Sequence, residues 1–134
     1  DISARISYVN GKHPNLVREQ IRLALGERIG FTQHDIVFKG ASIELRIVAE
    51  DTRRGFATWI GTIEKFNFPQ YDWAAVYTHV PFDRPYMIPS DFDPNLALAL
   101  VWADTMDEAK QRAATFIDET VIKGTDPRPG CPVG

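Results

Sequence analysis

An α+β domain, an antiparallel β-sheet with flanking helices, is what this sequence predicts, and three patterns predict it. Short apolar runs rich in β-branched and aromatic residues recur at 39–51, 57–68, 73–80 and 95–103. Apolar residues at helical spacing fall before these runs, at Val17, Ile21, Ala24 and Leu25, and after them, at Met106, Ala109, Ala113, Phe116 and Ile117. Pro81, Pro85, Pro89 and Pro94 punctuate the stretch between the last two runs and forbid a helix there. Strand segments grouped between helices, rather than alternating with them, imply an α+β arrangement.

Along the chain, Ile2 to Val9 alternates loosely and reads as a short strand closed by the turn signal Asn10-Gly11. Pro14 and Asn15 open a helix whose apolar face is Val17, Ile21, Ala24 and Leu25, widened by Leu16 and Leu23; Gly26 and Gly30 bracket its end. Residues 36–38 and 43–48 read as extended. Trp59, Ile63 and Phe66 are expected core residues of the β-rich stretch 57–68. The run from Asn95 to Ala103 is apolar on both faces, which places it as a central, buried strand. Thr105-Met106-Asp107-Glu108 has the spacing of a capping box, so the last helix should start there and run to about Thr120 or Ile122. Beyond Gly124 the chain turns to proline and glycine, as a loose tail over 125–134 would.

Composition narrows the function classes. The 134 residues suffice for one core, and the net charge of -3 comes with no basic stripe, which disfavours nucleic acid or anionic lipid as partner. No stretch approaches a membrane span and no signal-peptide pattern is present. The lone Cys131 cannot form an internal disulfide, in keeping with a reducing, cytoplasmic setting. No glycine-rich phosphate loop opens a helix. A chain that starts at Asp1 without methionine is expected to be a fragment or a processed piece.

The most informative stretch is Lys39 to Asp51. Strand side chains alternate, so Ile43, Leu45 and Ile47 point one way while Glu44 and Arg46 share the other face. Taken alone, this describes a strand with one wet face. It equally describes a guanidinium fixed on a sheet, always charged, planar and able to fork onto an oxyanion.

The text around that strand shifts the balance toward the second. Gly40 to Asp51 resembles the segment that opens the C-terminal domain of biotin carboxylases, Gly-His-Ala-Ile-Glu-Cys-Arg-Ile/Val-Asn-Ala-Glu-Asp. Upstream, Asn15 to Ala24, Gly26-Glu27, Phe31-Thr32-Gln33 and Asp35-Ile36-Val37 are similar to the family's preceding helix and linker. Downstream, Gly61-Thr62-Ile63-Glu64-Lys65-Phe66 resembles its Gly-Lys-Ile strand. Tyr86-Met87-Ile88-Pro89 with Phe92-Asp93 resembles its Tyr-Thr-Val-Pro-Pro-Tyr-Tyr-Asp, and Asp107-Glu108-Ala109 with Arg112 its last amphipathic helix. The ordered set, not any one piece, carries the resemblance from about the first residue to Gly124.

The resemblance implies the C-terminal part of an ATP-dependent ligase that carboxylates protein-bound biotin with bicarbonate, using ATP and Mg2+. Residues 1–38 would end the ATP-grasp region and 39–124 would form the C-terminal domain. Arg46, with Glu44 beside it, would face the biotin, whose ureido oxygen needs a fixed cation as negative charge develops. Asp1-Ile2-Ser3-Ala4-Arg5-Ile6 resembles Glu-x-Asn-x-Arg-Ile/Leu, which would put Arg5 near bicarbonate and Asp1 near the metal. Implied partners are the rest of the carboxylase chain, the biotin carboxyl carrier and carboxyltransferase components, and a second copy in a homodimer. The fragment alone should not turn over, because the nucleotide lobe is elsewhere.

Several departures are written in the same residues. Asp1 is one methylene shorter than the family's Glu, and Ser3 replaces an amide, at a metal that demands tight octahedral geometry. Ser7-Tyr8-Val9-Asn10 stands where Gln-Val-Glu-His should follow, so the general base on bicarbonate is missing, a loss worth ~100-fold or more. Ala41 replaces a His, Leu98 a Lys and Leu45 a Cys. Leu45 for Cys is an apolar swap on the buried face and says little. The missing base favours a rival of another class, a diverged non-catalytic domain that keeps the fold for assembly, with 71–77 as the interface. The retained Arg46, Arg5 and Asp93 favour the carboxylase. A third, unrelated α+β binding module would make the ordered matches accidental.

Other candidates read as structural. His13, His34 and His79 share no metal-ligand spacing. Asp91 and Asp93 suit loop capping. Glu50-Asp51 before Arg53-Arg54 reads as a solvated turn with local ion pairs. Trp59, Trp73 and Trp102 read as core or interface aromatics, since no basic residue interleaves them. Cys131 has no partner His in context.

Overall fold

The computed structural model describes residues 3–89 and 94–125. Its centre is the strand expected to be buried on both faces. Strand β9 (Asn95–Ala103) lies between β3 (Ala41–Val48) and β7 (Ala74–Thr78) in an antiparallel sheet. Ala99 and Val101 have no exposed surface, and Leu100 is also buried. Ile43, Leu45 and Ile47 of β3 point toward the helix α3 (Met106–Glu119), where Ala113 and Phe116 close the core over Ala99 and Val101.

A second antiparallel sheet, β10 (Val121–Thr125), β6 (Thr62–Asn67) and β8 (Tyr86–Met87), packs near the other end of β9. Ile63 and Phe66, both expected in the core, are buried there with Val80, Ile88 and Leu96, while Trp59 is partly buried against them. Two small pairs complete the strands: β1 (Ser7–Val9) with β2 (Ile36–Phe38), and β4 (Glu50–Asp51) with β5 (Ala57–Thr58).

The first strand is shorter than expected. Ser3–Ile6 forms a helical turn, α1, and only Ser7–Val9 is extended, closing through Asn10 and Gly11 in left-handed conformation to Lys12. The helix α2 (Leu16–Ala24) begins where expected, with the Asn15 side chain accepting from Arg18 N–H. It ends in a Schellman pair: Glu27 N–H donates to Arg22 O and Gly26 N–H to Leu23 O, with Gly26 at φ +82. Its apolar face forms but stays uncovered. Val17, Ile21, Leu23 and Leu25 are all half or more exposed.

The end of α3 also departs from the expectation. The helix stops at Glu119, and Ile122 lies in β10, because Val121 and Ile122 pair with Asn67 and Phe66. Met106 and Ile117 are exposed rather than buried; the stripe is Ala109, Ala113 and Phe116. The capping box forms by half. Glu108 N–H donates to Thr105 Oγ1, but the Glu108 carboxylate accepts from Arg112 one turn on, at 2.7 Å. Thr105→Ala should therefore cost about 1 kcal/mol, read as a lower urea midpoint at unchanged slope. No shift in midpoint would mean that the cap contributes nothing.

Gly40 is required by a close approach. At φ +77 it leads into β3, and a Cβ there would lie 2.5 Å from Ala103 O. The turn after β4 is likewise built rather than merely solvated. The expected local ion pair forms, with Arg53 Nε 3.6 Å from Asp51 Oδ1, but Asp51 is buried rather than solvated and its Oδ1 also accepts from Arg53 N–H. The residues 90–93 and 126–134, and with them Asp91, Phe92, Asp93, Cys131 and most of the expected tail, lie outside the described residues.

Candidate functional site

The antiparallel register of β3–β9–β7 gathers one set of side chains on the face opposite α3. Directly opposed residues share a face, so Arg46, Leu98 and Tyr77 form one row, Glu44, Leu100 and Ala75 the next, and Ser42 with Trp102 a third. Glu44 and Arg46 thus stand together, as the alternation predicts. Arg46 Nε donates to Glu44 Oε1 at 3.0 Å. The Arg46 side chain is 73% exposed and that of Glu44 21%. The bond takes Nε, so the planar fork of terminal nitrogens is presented outward while the carboxylate steadies its base.

Arg5 arrives on the same face from a distant part of the chain. The turn α1 lies against β3, and from it the Arg5 guanidinium stacks over the Trp102 ring, 4.3 Å from its centroid. Arg5 Nη2 also donates to Tyr77 Oη at 3.4 Å, the long end of hydrogen-bond range. The two predicted cations, Arg46 and Arg5, therefore occupy one sheet face, floored by Leu98 and Leu100. Two guanidiniums there, with Glu44 alongside, suit a substrate that is anionic or becomes so.

The tryptophans do more than fill the core. Trp102 carries Arg5, and Trp73 carries Arg112, whose Cζ lies 5.4 Å from the ring centroid. Arg112 Nη1 also donates to Trp102 O at 2.8 Å, which ties α3 to this end of the sheet. No basic residue is near either ring in sequence, so spacing gave no sign of these pairs. Tyr71 stacks on Trp73 and its hydroxyl donates to Glu119 at 2.6 Å; that carboxylate raises the Tyr71 pKa above the ordinary phenol value.

The other candidates stay apart from this face. His13 Nδ1 sits 3.0 Å from Ser7 O with its ring against Tyr8, and His79 lies edge-on to Tyr86. A cavity of about 270 Å3 lies instead beside the second sheet, floored by Ile47, Trp59, Leu96 and Ile122 with Arg53 at its rim. Asp1, the expected metal ligand, is outside the described residues. Among the described residues no group of three or more His, Cys, Asp or Glu side chains could hold a metal ion. They therefore do not fit a magnesium site by themselves.

The sheet, its charged face and the helix behind it have counterparts. The Biotin carboxylase C-terminal domain family matches residues 44–128, more than half of the 134. This chain belongs to that family. It is 39% identical over 110 residues to Biotin carboxylase 2, chloroplastic, of Populus trichocarpa, covering 82% of this chain and 20% of the relative. It is 37% identical over the same length to the 2-oxoglutarate carboxylase small subunit of Hydrogenobacter thermophilus, of which it covers 23%.

The biotin carboxylase fold is equally plain in solved structures. The biotin carboxylase domain dimer of the Hydrogenobacter thermophilus 2-oxoglutarate carboxylase, in complex with MgADP, ADP and bicarbonate, superposes with a TM-score of 0.78 at 36% identity, over 92% of this chain and 26% of that one. The biotin carboxylase subunit of a pyruvate carboxylase gives 0.79 at 29% identity, over 93% and 26%. The chain spans about a fifth to a quarter of the length of the curated relatives it matches. Among the described residues no helix is long and apolar enough to cross a membrane.

Proposed function

We propose that this chain is the C-terminal part of a biotin carboxylase, in which bicarbonate is the carboxyl donor and protein-bound biotin the acceptor. One observation carries the reading: Arg46 and Arg5, far apart in sequence, lie on a single sheet face. ATP, when bound, supplies the activation of bicarbonate. The chain's own part is electrostatic. Arg46 meets the ureido oxygen of biotin as negative charge develops there, and because its fork is planar and always protonated it needs no reorganisation at the moment of reaction. Glu44 fixes the direction of that fork through Nε. Arg5 holds the bicarbonate anion on the same face.

Three partners follow: the remainder of the carboxylase polypeptide, a biotin carrier with its carboxyltransferase, and a second copy of the domain. The uncovered face of α2, with Val17, Ile21 and Leu25 exposed, supports a place for residues 1–38 at the edge of a larger nucleotide-binding lobe. By the same reading the fragment alone does not turn over, and the parent works in the cytoplasm.

A second reading has its own observation. Where the family carries its general base, this chain makes the tight hairpin Ser7–Lys12, with no acidic residue between Ser7 and Leu16. That favours a non-catalytic assembly domain with the same fold. Bicarbonate-dependent ATP hydrolysis by the full-length polypeptide, with and without free biotin, separates the two. Biotin-stimulated turnover supports the carboxylase. A folded, dimeric parent that hydrolyses no ATP would sink it and leave assembly as the function.

A further inference from the structure

We infer that Trp102 and Tyr77 are positioning residues that hold the Arg5 guanidinium at a fixed place on the sheet, and so set the affinity for bicarbonate. The inference rests on the reading of Arg5 as the bicarbonate cation. Arg5 sits on α1, Ser3–Ile6. An arginine side chain has many rotamers and gives up that freedom only where contacts hold it. The side chain is aimed from across the fold. Trp102 of β9 lies under the guanidinium at 4.3 Å from Cζ to centroid, and the Tyr77 hydroxyl of β7 receives Nη2 at 3.4 Å.

These two anchors stand on adjacent strands of the most buried sheet, with Trp102 four residues along β9 from Leu98, the partner of Tyr77. The guanidinium therefore spans Leu100, a buried residue, and lies over an apolar floor. A cation over an indole face is held more strongly when partly desolvated in this way. The clamp also fixes Arg5 relative to Arg46. Arg46 and Tyr77 flank Leu98 on either side, so their backbones are about 10 Å apart across the two strand spacings. Without an anchor, two like charges on one face would move apart into solvent. With it, Arg5 stays on the face that also carries Arg46.

Trp102 and Tyr77 touch no substrate in this account, so the test must read Arg5 itself. In the full-length polypeptide, the rate at which phenylglyoxal labels Arg5 is followed by mass spectrometry, with the exposed Arg46 as internal reference. Bicarbonate KM and kcat are measured alongside. Trp102→Leu should raise Arg5 labelling several-fold and bicarbonate KM roughly tenfold, with kcat little changed. Trp102→Phe, which keeps an aromatic face, should restore most of both. Tyr77→Phe should give the smaller effect of one weak hydrogen bond.

Equal labelling of Arg5 in Trp102→Leu and the parent would overturn the clamp. Faster labelling with an unchanged bicarbonate KM would overturn its positioning role. Should Trp102→Leu not fold, the half-exposed Tyr77 carries the labelling test, and an unchanged Arg5 rate in Tyr77→Phe overturns the proposal. Arg5→Lys separates this inference from the reading beneath it: an unchanged bicarbonate KM there removes Arg5 from the bicarbonate site, whatever the labelling shows of the clamp.

Discussion

Replacing Arg46 with alanine in the full-length polypeptide is expected to lower biotin-stimulated ATP hydrolysis by about 100- to 1000-fold, the usual cost of removing one preorganised partner of a developing oxyanion. The loss should fall on turnover with biotin and leave the biotin-independent background close to the parent. Stability should barely move. The Arg46 side chain is 73% exposed and its ion pair with Glu44 lies at the surface, where such pairs contribute about 0–1 kcal/mol. Thermal melting with the kinetics therefore separates a lost charge from a lost fold. An Arg46→Ala enzyme that keeps its biotin stimulation within threefold would take Arg46 out of the biotin site. Arg46→Lys should recover little, because an ammonium keeps the charge but not the planar fork that Glu44 directs.

The largest stability effect should come from Phe116→Ala. Phe116 is 1% exposed, and its ring lies parallel to Phe68 at 5.9 Å. It belongs to the cluster that seals α3 onto Ala99 and Val101 of the central strand. Its neighbours come from the sheet, the helix and the 68–73 segment, so collapse around the vacancy would need several elements to shift together. The expected cost is about 3–5 kcal/mol, a large part of the stability of an ordinary domain. Urea unfolding followed by tryptophan fluorescence measures it. A loss below about 1 kcal/mol would show that the α3 interface is plastic. Ile117→Ala, one position on but 56% exposed, serves as the control and should cost far less.

The two substitutions differ in how far the sequence alone led to them. The alternation around Glu44 and Arg46 is local, since a strand's period of two assigns faces without reference to any partner. The same holds for β9, whose two apolar faces could only be buried on both sides, and for the Asn15 and Thr105 starts of the helices. Phe116 was legible as one member of a helical stripe. The stripe's ends were not. Met106 and Ile117 obey the spacing yet remain exposed, because the sheet covers only the middle of that helix face. Ile122 fits the helical pattern too, but pairing with Phe66 in β6 drew it into a strand. Asp51 read as a wet turn residue until the fold closed over it.

By itself, the sequence determined the α+β class, the places of the main strands along the chain, the helix starts and the shared face of Glu44 and Arg46. Resemblance written in those same residues brought it to the biotin carboxylase family. Each of these is a matter of period, capping or ordered motif within a short window. Only the tertiary structure decided that Arg5 lies on the face of Arg46, that Trp102 and Tyr77 hold it there, that Trp73 carries Arg112 and that the α2 face is left open. Those contacts join residues up to about 100 positions apart, and they depend on strand order and register. Neither is encoded in a local window: antiparallel register is fixed by the sum of packing across the sheet, and one residue of slip would turn every side chain to the opposite face.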